Sequence, residues 1–77
     1  MAKYQGHRSW NAWNVALWIG NEEGLYRLAL DCIKRGETVA RAARLFLAEV
    51  GEGSKTPDGA RYNITCVREA IAGLMED

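Results

Sequence analysis

A chain of 77 residues can form one domain, because a single hydrophobic core usually needs roughly 50 to 200 residues. The apolar fraction of 48% and the charged fraction of 26% are close to globular averages and argue against an intrinsically disordered chain. Ten basic and ten acidic side chains cancel, which argues against a generally basic nucleic-acid binder and a generally acidic nucleic-acid mimic.

The first predicted helix runs from about Ser9 to Ile19. Trp10, Trp13 and Leu17 recur at i, i+3 and i+7, and we expect the two tryptophans to build the core. The run Val15–Ile19 is also compatible with a strand, since Val, Trp and Ile favour one. A helix is the better interpretation because the chain offers no second strand of comparable quality.

The second and third predicted helices are amphipathic. The second starts near Asn21 as N-cap and ends at Gly36 as a left-handed stop. The third opens around Thr38 and ends at Gly51. Their apolar stripes predict faces buried in a common core; the stripes are Leu25, Leu28, Ala29, Cys32 and Ile33, and then Val39, Ala42, Ala43, Phe46 and Val50.

The segment Gly51–Gly59 predicts a mobile surface loop, with a tight turn at Pro57–Gly59. The last predicted helix starts near Asn63, and its stripe consists of Ile64, Val67, Ile71 and Leu74. Together the elements predict an all-α fold, a compact bundle of about four short helices, formed by a single domain over residues 1–77.

The cysteines and the N-terminus bear on the compartment. Cys32 and Cys66 are too few for a disulfide framework and lie in apolar helical patterns, which favours buried thiols over a bridge between them. The N-terminus lacks the apolar region of a signal peptide, and no stretch reaches the roughly 18 apolar residues of a membrane span. We therefore expect a cytoplasmic protein that does not enter a membrane.

Candidate catalytic and metal sites are weak. His7 is the single histidine, and no serine, cysteine or acid stands near it with triad-like spacing. One histidine and two cysteines separated by a whole helix match no zinc spacing. The glycines of Gly51–Gly53 follow a helix, which is the wrong context for a phosphate-binding loop. The sequence predicts no catalytic residue, no metal and no cofactor.

Four basic residues bracket the turn between the second and third helices, and they could contact phosphates or an acidic protein surface. Ordinary solvated charge is the simpler interpretation, because acidic residues lie nearby. The stretch Thr38–Leu45 faintly resembles the first helix of a helix-turn-helix, but the expected turn and recognition helix do not follow it. These basic residues are Lys34, Arg35, Arg41 and Arg44.

Trp18 differs from the other two tryptophans. It lies roughly 80° around the helix from the line through Trp10 and Leu17, so it belongs either to the edge of the core or to an exposed contact. We expect an exposed contact, because a bundle of four short helices covers only part of a helix that is apolar nearly all round. Either a second copy or another protein would cover it.

The block Trp13–Tyr26 resembles a group of short proteins of unknown function from phages, prophages and plasmids. The turn Thr56–Gly59, Tyr62 and the helix containing Val67–Ile71 extend the resemblance over most of the chain. The group brings no activity and no site residues. The resemblance implies a genomic setting in which small accessory proteins often bind and block host machinery, including CRISPR–Cas and restriction complexes.

We therefore expect a non-enzymatic protein-binding module that inhibits a host protein complex, most concretely an anti-CRISPR inhibitor of a CRISPR–Cas effector. The alternative is a small DNA-binding or regulatory protein that uses the basic turn. A homodimer remains open beside a monomer that meets a host partner. The candidate partner-binding residues are Trp18, Tyr26, Lys34, Arg35, Arg41 and Arg44.

Overall fold

The computed structural model describes residues 9–76 and contains four helices. They are α1 (Trp10–Asn21), α2 (Glu23–Gly36), α3 (Val39–Val50) and α4 (Ile64–Met75). Between residues 9 and 76 the only β-pairing is an isolated bridge between Lys55 and Arg61. The predicted all-α bundle is confirmed, including the helical interpretation of Val15–Ile19. None of the helices described is long and apolar enough to cross a membrane.

Each helix begins after a residue whose side chain accepts a backbone N–H of the first turn; these residues are Ser9, Glu22, Thr38 and Asn63. The prediction that Asn21 caps α2 is wrong. Asn21 is the last residue of α1, and its amide donates to the Leu17 carbonyl at 2.8 Å. Only Glu22 separates α1 from α2, and its carboxylate caps α2 through the Leu25 N–H at 2.7 Å.

The end of α2 also differs from the prediction. Gly36 is the last helical residue, and the left-handed residue is Glu37, with a φ of 70°. The glycine is required for another reason: a Cβ at Gly36 would lie 2.7 Å from the backbone nitrogen of Ala42. Gly36 therefore allows α2 and α3 to approach closely at their shared turn. Gly51 ends α3 with a φ of 91°, as the sequence predicts.

The core lies between all four helices and contains Phe46 and Tyr62, whose ring centroids are 6.2 Å apart. The predicted stripes of α2, α3 and α4 are confirmed, because all of their residues are either buried or packed against the core. Cys32 and Cys66 are both free and buried, as expected of thiols that act as small hydrophobes. Burial raises the pKa of the Cys32 thiol.

The predicted core face of α1 is wrong. The buried apolar residues of this helix are Ala12, Val15 and Ile19, on the side roughly opposite Trp10 and Leu17. Trp10 is 40% exposed and Leu17 38%, while Trp13 is half-buried. Small and β-branched residues let α1 pack closely on its neighbours, and the largest side chains are left outside.

Candidate functional site

The helix α1 divides into three faces. One face packs in the core, a second carries polar side chains that meet the segment after α3, and the third points outward. The polar face consists of Asn11, Asn14 and Trp18, spaced at i, i+3 and i+7. We refer to these three residues as the hairpin anchor, because of the contacts described next.

The segment between α3 and α4 forms a tight hairpin. Tyr62 donates its N–H to the Ser54 carbonyl at 2.8 Å, and Thr56 donates its N–H to the Ala60 carbonyl at 2.7 Å. At the tip of the hairpin, the Gly59 N–H donates to the Thr56 carbonyl at 2.9 Å, and Gly59 has a φ of 97°. A turn followed by a left-handed glycine is a usual way to end a hairpin. The predicted turn at Pro57–Gly59 is therefore confirmed.

Asn14 joins α1 to the tip of this hairpin. Its side chain is 1% exposed, and both ends of the amide are used. The amide nitrogen donates to Asp58 Oδ2 at 2.9 Å, and the amide oxygen accepts from the Thr56 hydroxyl at 2.7 Å. The Thr56 oxygen in turn accepts the Ala60 N–H at 3.0 Å. These hydrogen bonds join the tip of the hairpin to α1, and the mobility predicted for residues 51–59 stays a prediction.

Asn11 holds the returning strand of the hairpin. Its amide nitrogen donates to the Arg61 carbonyl at 2.9 Å, and its amide oxygen accepts the Arg61 N–H at 2.8 Å. One asparagine thus satisfies both backbone groups of Arg61, as a neighbouring strand would. The Asn11 amide also lies 3.2 Å from the Cys66 sulfur on α4.

Trp18 completes the hairpin anchor. Its indole N–H donates to Asp58 Oδ2 at 2.9 Å, and the ring is half-buried. The hydrogen bonds from Asn14 and Trp18 lower the pKa of the Asp58 carboxyl below its ordinary value of 3.8. The polar edge of Trp18 is therefore engaged within the molecule, and part of its ring remains open to a partner.

The third face of α1, which we call the outer face, consists of Trp10, Trp13, Leu17 and Gly20. The whole helix from Trp10 to Asn21 carries no charged residue. Among the described residues 9–76, no atom lies within 4 Å of the place where a Cβ at Gly20 would stand, so the helix backbone is open there. The outer face is thus an apolar strip of about three helical turns.

The other predicted site residues lie on α2 and α3. Tyr26 is 38% exposed and lies one turn into α2. Lys34 and Arg35 lie in the last turn of α2, roughly 12 Å along the helix from Tyr26. Arg35 donates to Asp31 at 2.9 Å.

The four predicted basic residues lie on either side of the turn between α2 and α3. Arg41 and Arg44 are exposed on α3, beyond the two-residue turn formed by Glu37 and Thr38. Lys34 and Arg35 lie before the turn, and we refer to the four residues together as the basic corner. The acidic residue Glu37 is part of the turn itself.

Residues 9–76 contain no group of three or more His, Cys, Asp or Glu side chains that could hold a metal ion. His7, the residue considered for base catalysis, lies outside the described part of the chain.

The family of unknown function DUF7249 has a sequence profile that matches residues 1–77. The chain belongs to this family. Nothing matches it among curated proteins or among solved structures. Membership in DUF7249 brings no ligand or activity with it.

Sequence reasoning missed the role of Asn11 and Asn14. The signal was present: two asparagines and a tryptophan share one face of a helix that has no charged residue. Such polar groups on a packed helix need partners. The turn Thr56–Gly59 contains a hydroxyl and a carboxylate that can supply them. What the sequence could not show is that the turn returns to this particular helix.

Proposed function

We propose that the protein is a small non-enzymatic module that binds another protein through the outer face of α1. The observation that supports this most directly is an uncharged helix that presents Trp10, Trp13 and Leu17 side by side on its exposed side. A helix with one face in the core and one in water normally carries charged residues on the wet side.

Tryptophan is well suited to such a contact, because it buries a large area and loses few rotamers on binding. Gly20 extends the strip with a position where a partner can approach the backbone. The polar groups of α1 point to the hairpin instead, through Asn11 and Asn14. A partner that covers the outer face would therefore leave these hydrogen bonds intact.

In its most concrete form, the partner is a host protein complex in the cytoplasm, with a CRISPR–Cas effector as the first candidate. What supports this form is the resemblance of the Trp13–Tyr26 block to short proteins of phages, prophages and plasmids. The module would inhibit the complex by occlusion, since a domain this small can cover a surface without chemistry of its own. Trp18 and Tyr26, where their rings remain exposed, would extend the contact.

The test uses Trp10→Glu combined with Leu17→Glu, measured for binding to purified CRISPR–Cas effectors and for inhibition of target-DNA cleavage. A glutamate at position 10 enters the first turn of α1, where the helix dipole favours it, so the fold should persist. Ala48→Glu, at an exposed position of α3, is the matched control. We expect the wild type and the control to bind and inhibit, and the double variant to do neither.

Two outcomes contradict different parts of this proposal. If the double variant binds as tightly as the wild type, the outer face is not the contact. If the wild type neither binds nor inhibits any effector, the anti-CRISPR form is wrong. Other host complexes, including restriction enzymes, then become the next targets for the same pair of variants.

The basic corner supports a second candidate, a DNA-binding or regulatory protein. Its four cations, Lys34, Arg35, Arg41 and Arg44, are all exposed around one turn. The test is a titration against labelled duplex at low and moderate salt, since phosphate contacts weaken steeply as salt rises. Arg41→Gln with Arg44→Gln should remove the binding. Affinity that does not change with salt would exclude this candidate.

A further inference from the structure

A stripe along α2 combines charged and apolar side chains in a fixed order. Glu23, Tyr26, Leu30 and Lys34 follow one another at spacings of three, four and four residues, so they lie on one side of the helix. Tyr26 is 38% exposed and Leu30 42%, and both charged residues are exposed. From the N-terminal to the C-terminal end, this α2 stripe is acidic, aromatic, aliphatic and basic.

We propose that the α2 stripe docks a second copy of this chain, with the two α2 helices antiparallel across a two-fold axis. Reversing the direction places Tyr26 of each copy against Leu30 of the other. It also places Glu23 of each copy beside Lys34 of the other. Every contact occurs twice, as a two-fold interface requires, and each joins groups that attract.

The order of charges also selects against the parallel arrangement. In a parallel two-fold pair each residue faces its own counterpart, so Glu23 would meet Glu23 and Lys34 would meet Lys34. Like charges placed opposite each other disfavour such a complex. The α2 stripe is therefore self-complementary in one direction only.

Neighbouring charges on α2 fit the same arrangement. Arg27 donates to Glu23 at 2.6 Å, and Arg35 donates to Asp31 at 2.9 Å, each pair within one helix. Antiparallel pairing brings Arg27 of one copy near Asp31 of the other, which continues the alternation of sign. These intrahelical pairs account for the charges alone. They do not account for the exposure of two large apolar side chains one turn apart on the same helix, Tyr26 and Leu30.

The size of this contact indicates a weak dimer. The helix α2 has 14 residues and is about 21 Å long, so a contact one helix wide is at the small end of specific interfaces. Exposed ion pairs add little affinity and mainly set orientation. The inference goes beyond the proposed function, because it concerns a second copy of the chain and a stripe on a different helix; Tyr26 is the one residue that both surfaces use.

The test measures the mass of the full-length protein by sedimentation equilibrium from about 10 µM to about 1 mM, a range that suits a small interface. We expect a reversible monomer–dimer equilibrium. Glu23→Lys alone and Lys34→Glu alone should each weaken self-association by about tenfold, because each homodimer then contains like charges at both ends. Circular dichroism checks that both variants remain helical.

Mixing the two variants separates recognition from folding. In the mixed dimer, the lysine introduced at position 23 of one variant meets the glutamate introduced at position 34 of the other. At the opposite end of the interface, the unchanged Lys34 of the first variant meets the unchanged Glu23 of the second. We expect the mixed pair to associate about as tightly as the wild type, and this rescue to fade in high salt. Leu30→Ser should weaken both the wild-type and the mixed dimer, while Trp10→Glu should leave the wild-type dimer unchanged.

Three outcomes overturn the inference. A wild type that stays monomeric at about 1 mM shows that the stripe does not dock a second copy. Mixed variants that fail to associate better than either alone show that the helices are not antiparallel. A dimer that is lost in Trp10→Glu but not in Leu30→Ser shows that self-association uses the outer face of α1.

Discussion

Replacing Asn14 with alanine measures how strongly α1 holds the hairpin. Asn14 is 1% exposed and Thr56 4%, so both lie in the core region. In the variant, the Thr56 hydroxyl loses the acceptor that it contacts at 2.7 Å and stays buried. A buried polar group left without its partner costs about 1 to 3 kcal/mol, and we expect the free energy of unfolding to fall by about 2 kcal/mol.

The assay is thermal unfolding followed by circular dichroism. In a domain of this size 1 kcal/mol shifts the melting temperature by about 4 to 8 °C, so Asn14→Ala should melt about 8 to 16 °C below the wild type. The matched control is Asn21→Ala, on the same helix. Asn21 is exposed and donates to the Leu17 carbonyl of its own helix, and alanine's higher helix propensity offsets that bond.

If Asn14→Ala and Asn21→Ala melt within about 2 °C of each other, the buried hydrogen bonds do not hold the hairpin in place. The reasoning from burial and geometry would then be wrong, and the hairpin would depend on the packing of Tyr62 and Ala60 instead. A large fall in the melting temperature of both variants would also refute this reasoning, because the exposed Asn21 would then matter as much as the buried Asn14.

Three further predictions concern the hairpin and two glycines. Trypsin should cut the wild type slowly after Lys55, because hydrogen bonds hold the hairpin, and it should cut Asn14→Ala faster; mass spectrometry identifies the fragments. Fast cutting of the wild type would support the mobile loop predicted from the sequence. Because hydrogen bonds lower the pKa of Asp58 in the folded protein, its carboxylate stabilises the fold above pH 3.8, and this stabilisation is lost as the pH falls from 3.8 through the lowered pKa. The melting-temperature advantage of wild type over Asp58→Leu should shrink over that range; an advantage independent of pH would contradict this. Gly36→Ala should lower the free energy of unfolding, because the new Cβ would lie 2.7 Å from the α3 backbone, whereas Gly20→Ala, in open space, should raise it by about 0.5 to 1 kcal/mol. Equal melting temperatures of the two variants would contradict the close approach of α2 and α3.

Helical periodicity identified the buried faces of α2, α3 and α4 because those helices separate apolar from charged side chains. The same method failed on α1. With no charged residue between Trp10 and Asn21, nothing in the pattern marks a wet side, and choosing the face by side-chain size selected Trp10 and Leu17. Size is a poor guide in a core this small, where close helix packing favours Ala12 and Val15.

The hairpin anchor was beyond sequence reasoning for a different reason. Asn14 meets Asp58 across 44 residues of chain, and Asn11 meets Arg61 across 50. Local propensity predicts the turn at Pro57–Gly59 and the helix α1 separately. The pairing of the two depends on how α4 and α1 pack, which no pattern within either segment contains.

The block from Trp10 to Trp18 therefore encodes two surfaces at once. Asn11, Asn14 and Trp18 share one helical face and hold the hairpin, while Trp10 and Trp13 belong to the other. Because the two sets alternate along one helix, inserting a single residue within the block would turn the residues before it by about 100° relative to those after it and would disrupt both surfaces. The tryptophans on the outer face contribute nothing to the hairpin bonds, and the fold gives no reason for their exposure. The proposed contact with another protein would account for it, and substitutions of Trp10 and Leu17 should then change binding while leaving the melting temperature nearly unchanged.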